Sequence, residues 1–393
     1  MTDSASRPAL SSGEKRAAET MLARAWGDRA EVRAAEEIWD RTQVVRLELA
    51  DGRSAVLKRR RDPDDEDARG RRFDTDFAAL ELLNGMPVPV APRLLGADAE
   101  AGILVMEDLG QGATLADSLL TGERERAETD LVAYARALGS MHAWTMQRAA
   151  DAGDQPALQR GPAWLTYIAD GKEPFLAAAA RMGLSSHGVA GEIDQITVML
   201  RETRNPGLVH DDACPDNVLL RDGAARLVDF EGSGWGAVVF DAGYLLAPFP
   251  SCWCFAGLPG EVAAPAFEAY RRTLEAAGLP PGADWEAEML AALAGFVVAR
   301  GPGITVLLDE DPGWGTTTMR PRLLAWLRAF TDRAGGNHIL PRLRALARDM
   351  LDQLSSRWPE ARVPDYPALA RAGSQAFPVP NWWPPRPGVQ VDP

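Results

Sequence analysis

Long apolar runs are what this 393-residue chain most plainly lacks. No stretch approaches the roughly 18 uninterrupted apolar residues that a helical membrane span needs. The opening residues, MTDSASRPALSSGEKRAAET, hold no apolar segment of the signal-peptide kind, so the expected location is the cytoplasm and no membrane partner is expected. Cysteine is scarce as well. Cys214, Cys252 and Cys254 are too few and too unevenly spaced for a disulfide framework, and a single Cys-Trp-Cys lacks the second pair or the histidines of a zinc site. Three buried thiols are expected. Basic residues are outnumbered, 42 Lys and Arg against 56 Asp and Glu, for a net charge of -14. That excludes the clustered cationic surface that a nucleic-acid backbone requires. The acid excess suits a cationic small molecule, and a plain soluble surface explains it equally well. Glycine is missing between Ala30 and Ala50, a gap that matters below.

The length allows two or three domains of about 100–200 residues. A composition of 46% hydrophobic and 25% charged residues is that of a globular chain with a sizeable core. Gly13 to Arg29 places Met21, Leu22, Ala25 and Trp26 at helical spacing. Strand character follows: residues 42–49 alternate in their later part, Asp51-Gly52 is a turn signal, and residues 54–58 return as a partner strand. Arg59 to Arg72 mixes both charge signs and predicts a solvated loop. A helix is expected over 73–83, then an extended connector around Pro87, Pro89 and Pro92. Gly102 to Gly110 forms a buried strand ending at acids and glycine. Helical patterns then dominate, over 114–120, 123–148, several stretches up to 201, 261–277, 284–300, 320–334 and 340–357. Strand patterns thus come first and helical ones follow. The tail from Phe377 to Pro393 is rich in proline and expected to be extended.

One stretch organises the rest. Leu208 to Tyr244 reads LVHDDACPDNVLLRDGAARLVDFEGSGWGAVVFDAGY. Two apolar runs, 218–220 and 226–228, flank Arg221-Asp222-Gly223, the signature of a short hairpin. Asp212 and Asn217 stand before it and Asp229 after it, so three oxygen-bearing side chains lie at its ends. Such a set suits Mg²⁺, which takes few protein carboxylates and fills its octahedron with substrate phosphates and water.

In these residues the chain resembles the aminoglycoside phosphotransferase and choline kinase group, small-molecule kinases built like protein kinases. His210-Asp211-Asp212, Asn217 and Asp229-Phe230-Glu231 fall where protein kinases carry His-Arg-Asp, Asn and Asp-Phe-Gly. Pro215 and Glu231 favour the small-molecule branch. The departure is Asp211, usually glycine, an extra acid that either perturbs the base or faces water. The resemblance implies a bilobal kinase-like α+β fold. Its N-terminal lobe of antiparallel strands covers residues 1–109, its mostly helical lobe 110–357, and a proline-rich tail 358–393. It implies ATP and Mg²⁺ bound between the lobes and phosphoryl transfer to the hydroxyl of a small molecule.

Under that resemblance Asp212 accepts the acceptor's proton, and Asn217 and Asp229 hold the metal. Lys58, in Ala55-Val56-Leu57-Lys58, anchors the ATP phosphates. Asp76 occupies the place of the helical Glu that pairs with the lysine, one methylene shorter, with Glu81 as the alternative. The backbone of Glu107, Asp108 and Leu109 meets the adenine. Arg41-Thr42 stands in for the missing glycine loop, so Thr42 contacts phosphate. Asp241 anchors the catalytic loop, and His210 belongs to the scaffold. Asp309, Glu310 and Asp311, beside Trp314, form either a cation-holding loop or a solvated one. A cationic hydroxylated acceptor of aminoglycoside type is expected. Choline, homoserine or methylthioribose remains an alternative acceptor, as does a nucleotide-binding pseudokinase without turnover. The oligomeric state cannot be read.

Overall fold

The computed structural model describes residues 10–39, 44–60, 66–148, 155–333 and 338–370. Thr42 and the stretch from Phe377 to Pro393, both singled out in the sequence, lie outside the described residues, whereas the first part of the expected tail, up to Ala370, is described and buries Trp358, Tyr366 and Leu369. The chain divides into two compact units, one comprising residues up to Gly110 together with Asp229–Glu231, the other Gln111–Val228 and the residues from Gly232 on. A small antiparallel sheet lobe and a larger, mostly helical lobe make a bilobal protein-kinase-like fold.

The first unit opens with α1 (Ser12–Trp26), which Ser11 and Glu14 start as a reciprocal capping box. It stops at Gly27 because that residue takes φ +75°, a left-handed conformation that glycine adopts without a Cβ penalty. The sheet holds β1 (Val32–Trp39), β2 (Val44–Leu49), β3 (Ser54–Arg59), β4 (Leu94–Asp98) and β5 (Ile103–Glu107), in the order β1-β2-β3-β5-β4. All its pairings are antiparallel. Val45, Leu47, Ala55, Leu57 and Val105 turn one face inward against Ala18, Met21 and Leu22 of α1. The helix α2 (Glu66–Leu83) starts earlier than its apolar spacing suggests, inside the charge run expected to be a loop.

The strand β1 was not foreseen. Its Ala-Ala-Glu-Glu centre favours a helix by local propensity, yet Ala35 to Glu37 pair with Val45 to Leu47. Tertiary pairing decides here, because an edge strand contributes only one face to the core.

The second unit begins with α3 (Leu115–Thr121) and α4 (Arg124–Met146), then α5 (Ala163–Arg181) and α6 (Val189–Arg201). Strands β6 (Pro206–Val209) and β9 (Gly234–Ala237) pair antiparallel, and between them lies the hairpin of β7 (Val218–Arg221) and β8 (Ala224–Leu227). Asp222 at φ +51° and Gly223 at φ +75° form the two-residue loop read from the sequence, with the positive φ at both positions that a type I′ turn demands. The short α7 (Val239–Ala242) follows, then α8 (Gly260–Ala276), α9 (Ala283–Val298) and α10 (Gly301–Leu307). The two-residue strands β10 (Gly313–Trp314) and β11 (Thr317–Thr318) lead into α11 (Met319–Thr331) and α12 (Pro341–Arg357). The helix α4 is buried along most of its length, lined by Leu131, Tyr134, Leu138, Met141 and His142. Among the described residues no single helix is long and apolar enough to cross a membrane.

Candidate active site

In the first unit, strand alternation sends Ala55 and Leu57 of β3 into the core and brings Lys58 out on the opposite face. There Lys58 Nζ meets Asp76 Oδ2 at 2.6 Å, Asp229 Oδ1 at 2.5 Å and Glu231 Oε2 at 3.8 Å. Asp76 is buried on α2, and its other oxygen accepts the backbone N–H of Phe230 at 3.1 Å. One carboxylate thus ties strand, helix and the Asp229–Glu231 segment together. Glu81, the alternative partner, is exposed. Burial works against the charged form of Lys58, but the charges of Asp76, Asp229 and Glu231 outweigh it and raise its pKa above the ordinary lysine value. The ammonium therefore stays charged. Arg72 adds a contact to Glu231 at 3.2 Å, and a narrow cleft is lined by Lys58, Arg60, Arg72, Phe73, Asp76 and Glu231.

The expected adenine segment is placed at the end of β5. Glu107 pairs with Ala55, and its N–H donates to Arg93 O at 2.8 Å. Asp108 is engaged through its side chain: it accepts from Arg46 Nε and from the N–H of Gly110, both at 2.8 Å. Burial would lift the Asp108 pKa, but Arg46 and the Gly110 N–H bring it below the ordinary carboxylate value. Leu109 is buried.

In the second unit the loop from His210 to Asn217 is anchored from beneath. Asp241 accepts the N–H of His210 at 2.6 Å and that of Asp211 at 3.0 Å, as the resemblance implied. His142 Nε2 lies 3.1 Å from the same carboxylate, which can only accept, so this nitrogen donates and Nδ1 faces Tyr270 OH at 2.8 Å. His210 Nε2 reaches the carbonyl of Val228 at 3.0 Å, a scaffold contact. Tyr134 OH donates to Ala213 O at 3.0 Å.

This frame brings Asp212 and Asn217 together. Asn217 Nδ2 donates to the Asp212 carbonyl at 2.9 Å and approaches its Oδ2 at 3.3 Å. Asp212 Oδ1 accepts from Ser251 Oγ at 2.8 Å. The third member of the sequence trio, Asp229, sits with Lys58 and Asp76 in the first unit, at φ +68°, a left-handed conformation that Asp tolerates better than most residues.

Two expectations are corrected. Of the two alternatives for Asp211, the water-facing one is overturned: it is buried, and its Oδ2 accepts the N–H of Ala163 at 2.8 Å, capping the start of α5 from 48 residues away. Burial first, then the charge of Asp241, pushes its pKa well above the ordinary value, against the pull of the Ala163 N–H. Cys214 and Cys252 are not separate thiols but a disulfide, with Cα atoms 5.7 Å apart; Cys254 is a buried thiol. The spacing gave no sign of it because the chain after α7 returns over the catalytic loop, a long-range fact.

Ser251, Tyr244 and Trp253 line this loop and were not assigned roles. Trp253 Nε1 donates to Asp216 Oδ2 at 2.7 Å, and Tyr244 OH lies 2.9 Å from Ser251 Oγ. For Ser251 and Trp253 the signal is the odd Phe-Pro-Ser-Cys-Trp-Cys-Phe run. The acidic triplet is largely engaged elsewhere. Asp309 binds Arg181 through both oxygens at 2.7 and 2.8 Å, and Asp311 accepts the N–H of Arg320 at 2.9 Å to cap α11.

The chain is similar in fold to the structure of a candidate aminoglycoside phosphotransferase from Ralstonia eutropha JMP134, with a TM-score of 0.53 and 16% identity over 85% of this chain and 98% of that one. It is also similar to macrolide 2′-phosphotransferase MphH from Brachybacterium faecium, with a TM-score of 0.47 and 15% identity over 80% and 99% of the two chains. Choline kinase LicA from Streptococcus pneumoniae gives a TM-score of 0.45 and 14% identity over 82% and 100%. No curated protein sequence matches the chain. The model of the phosphotransferase enzyme family matches residues 31–287, well over half of the sequence, and the chain belongs to that family.

Proposed function

We propose that this protein transfers the γ-phosphate of ATP, as its Mg²⁺ complex, to a hydroxyl of a small molecule. The observation that carries the reading is Asp212: a carboxylate on a loop anchored by Asp241, with Oδ1 held and Asn217 beside it. A base must be held in hydrogen-bonding reach of the proton it takes, and such a loop does that. Lys58, kept charged by its three acids, serves the ATP phosphates. Asp76 holds the lysine in place.

Magnesium takes hard oxygen donors and near-octahedral geometry, and needs one or two protein ligands with phosphate and water for the rest. Asp229 supplies a carboxylate. Asn217, whose Nδ2 donates to Asp212, would offer its Oδ1. The donor chemistry fits the ion. When bound, it would neutralise charge developing on the transferring phosphoryl group. This chain's own residues would do the rest: Lys58 orients phosphate, Asp212 accepts the hydroxyl proton, and the anchored loop keeps Asp212 and Asn217 still.

A cationic acceptor is the version of this reading that the net charge of -14 supports. The test is a mass-shift screen of purified protein with Mg·ATP against a library of aminoglycosides, other basic antibiotics, choline, homoserine and neutral sugars. An acceptor gaining one phosphate, with the gain lost in Asp212→Asn, is the expected result. Nucleotide binding without transfer to any acceptor would identify a pseudokinase instead.

A further inference from the structure

The segment from Pro250 to Trp253 has no regular secondary structure, yet it is tethered on all sides. Arg300 donates to Pro250 O at 3.0 Å, and the buried Arg322 donates to Cys252 O at 2.6 Å and Trp253 O at 3.1 Å. The Oγ1 of Thr316 reaches the Trp253 carbonyl at 2.9 Å. A Cβ at Gly315 would fall 2.0 Å from that same carbonyl oxygen, so only glycine allows the approach. The Cys214–Cys252 disulfide completes the set by joining the segment to the catalytic loop.

Ser251 stands inside these tethers. Its Oγ lies 2.8 Å from Asp212 Oδ1, 2.9 Å from Tyr244 OH and 3.3 Å from Cys214 Sγ. The direction of each proton follows from chemistry. A carboxylate accepts, and a disulfide sulfur has no proton to give. Tyr244 is wholly buried, and burial together with the charge of Asp212 raises its pKa well above the ordinary value, so it keeps its proton. That proton is shared between Ser251 Oγ and the Asp211 carbonyl, 3.1 Å away. Ser251 is thereby left to donate to Asp212.

We propose that Ser251 is a positioning residue for phosphoryl transfer, holding Asp212 Oδ1 so that the carboxylate's rotation is fixed and Oδ2 is the atom presented to the acceptor hydroxyl. This rests on the reading of Asp212 as the base. Rigidly held carbonyls on either side keep the serine from following a carboxylate that turns away.

The test is ADP release from Mg·ATP with water as acceptor, followed in four full-length proteins: Ser251→Ala, Ser251→Thr, Asp212→Asn and the Asp212→Asn, Ser251→Ala double variant. Ser251→Ala should lower kcat about tenfold and leave KM for ATP within about twofold, the split expected when an interaction matters to the chemical step and not to nucleotide binding. Ser251→Thr, which keeps the hydroxyl, should recover most of the loss. In the Asp212→Asn background the serine change should cost less than about twofold, because the group it positions is gone. An alanine variant with full turnover beside an impaired Asp212→Asn would overturn the inference and spare the base reading. So would a loss that threonine cannot rescue, or one that persists undiminished in the double variant. If Asp212→Asn itself releases ADP at the wild-type rate, the base reading fails and the inference falls with it.

Discussion

Asp211 shows how one residue can change meaning between sequence and structure. In the sequence it is a second acid beside the base. In the fold it is a buried carboxyl that caps α5, with Oδ1 lacking any hydrogen-bond partner among the described residues. Its raised pKa, caused by burial and by Asp241, means that the folded state holds a proton the unfolded chain releases near pH 4. Stability from this group is therefore fully present below the unfolded pKa and is lost as pH rises toward the folded one. Asp211→Asn keeps the shape and the acceptor for Ala163 without the titration. Its melting temperature relative to the wild type should climb between about pH 4 and pH 7, with a ceiling of about 1.4 kcal/mol per pH unit. Thermal melts across that range check it, and a constant gap would contradict it. Lys58 makes the opposite case. Lys58→Met strands Asp76, Asp229 and Glu231 beside one another, and by analogy with broken buried pairs should cost about 3 kcal/mol in urea unfolding. Lys58 and Asp76 were legible because their motifs are short and local. The work of Asp211 was not, since its partner is 48 residues upstream.

At the scale of elements, what could be read was whatever carries its own punctuation. The β7–β8 hairpin announces itself through Asp222-Gly223, whereas the stop of α1 at Gly27 went unread, the expected helix running on to Arg29. The strand β1 was illegible because its composition favours a helix and only pairing with β2 makes it a strand. The disulfide belongs here too, since it joins the loop before β7 to the segment after α7. It closes a separation of 38 residues. In the chain-entropy account that closure is worth about 4 kcal/mol. A glutathione-buffered cytoplasm, the location expected from the sequence, would favour two thiols. In that form Cys214 Sγ, 3.0 Å from Asp212 Oδ1, gains a proton to donate to the base. Urea unfolding of oxidised protein and of protein in excess dithiothreitol should differ by several kcal/mol. Coincident curves would show that the bond constrains little of the unfolded chain.

For the whole molecule, the family match ends at residue 287, so α11, α12 and the acidic triplet lie outside it. This is where the sequence told least. The residues proposed for nucleotide and metal stand in short motifs, whereas an acceptor is chosen by surfaces assembled from distant helices. The triplet illustrates the difficulty: three acids near an exposed tryptophan suggest a cation site, yet Asp309 and Asp311 are already bound to Arg181 and to the N-terminus of α11. What can be tested without knowing the acceptor is the division of labour between base and metal ligand. A ligand that binds only the folded state stabilises it by about 2.7 kcal/mol at a hundredfold excess over Kd. Mg·ATP should therefore raise the melting temperature of the wild type. Asp229→Ala, which removes the proposed metal ligand and one of the acids around Lys58, should abolish most of that shift. Asp212→Asn should keep it while losing transfer by about 10²–10⁴, the range for a general base. Thermal melts of the three proteins with Mg·ATP, with ATP and chelator, and with neither, separate the roles. A shift that survives in Asp229→Ala, or that chelator leaves untouched, would remove Asp229 from the metal and leave nucleotide binding to Lys58 alone.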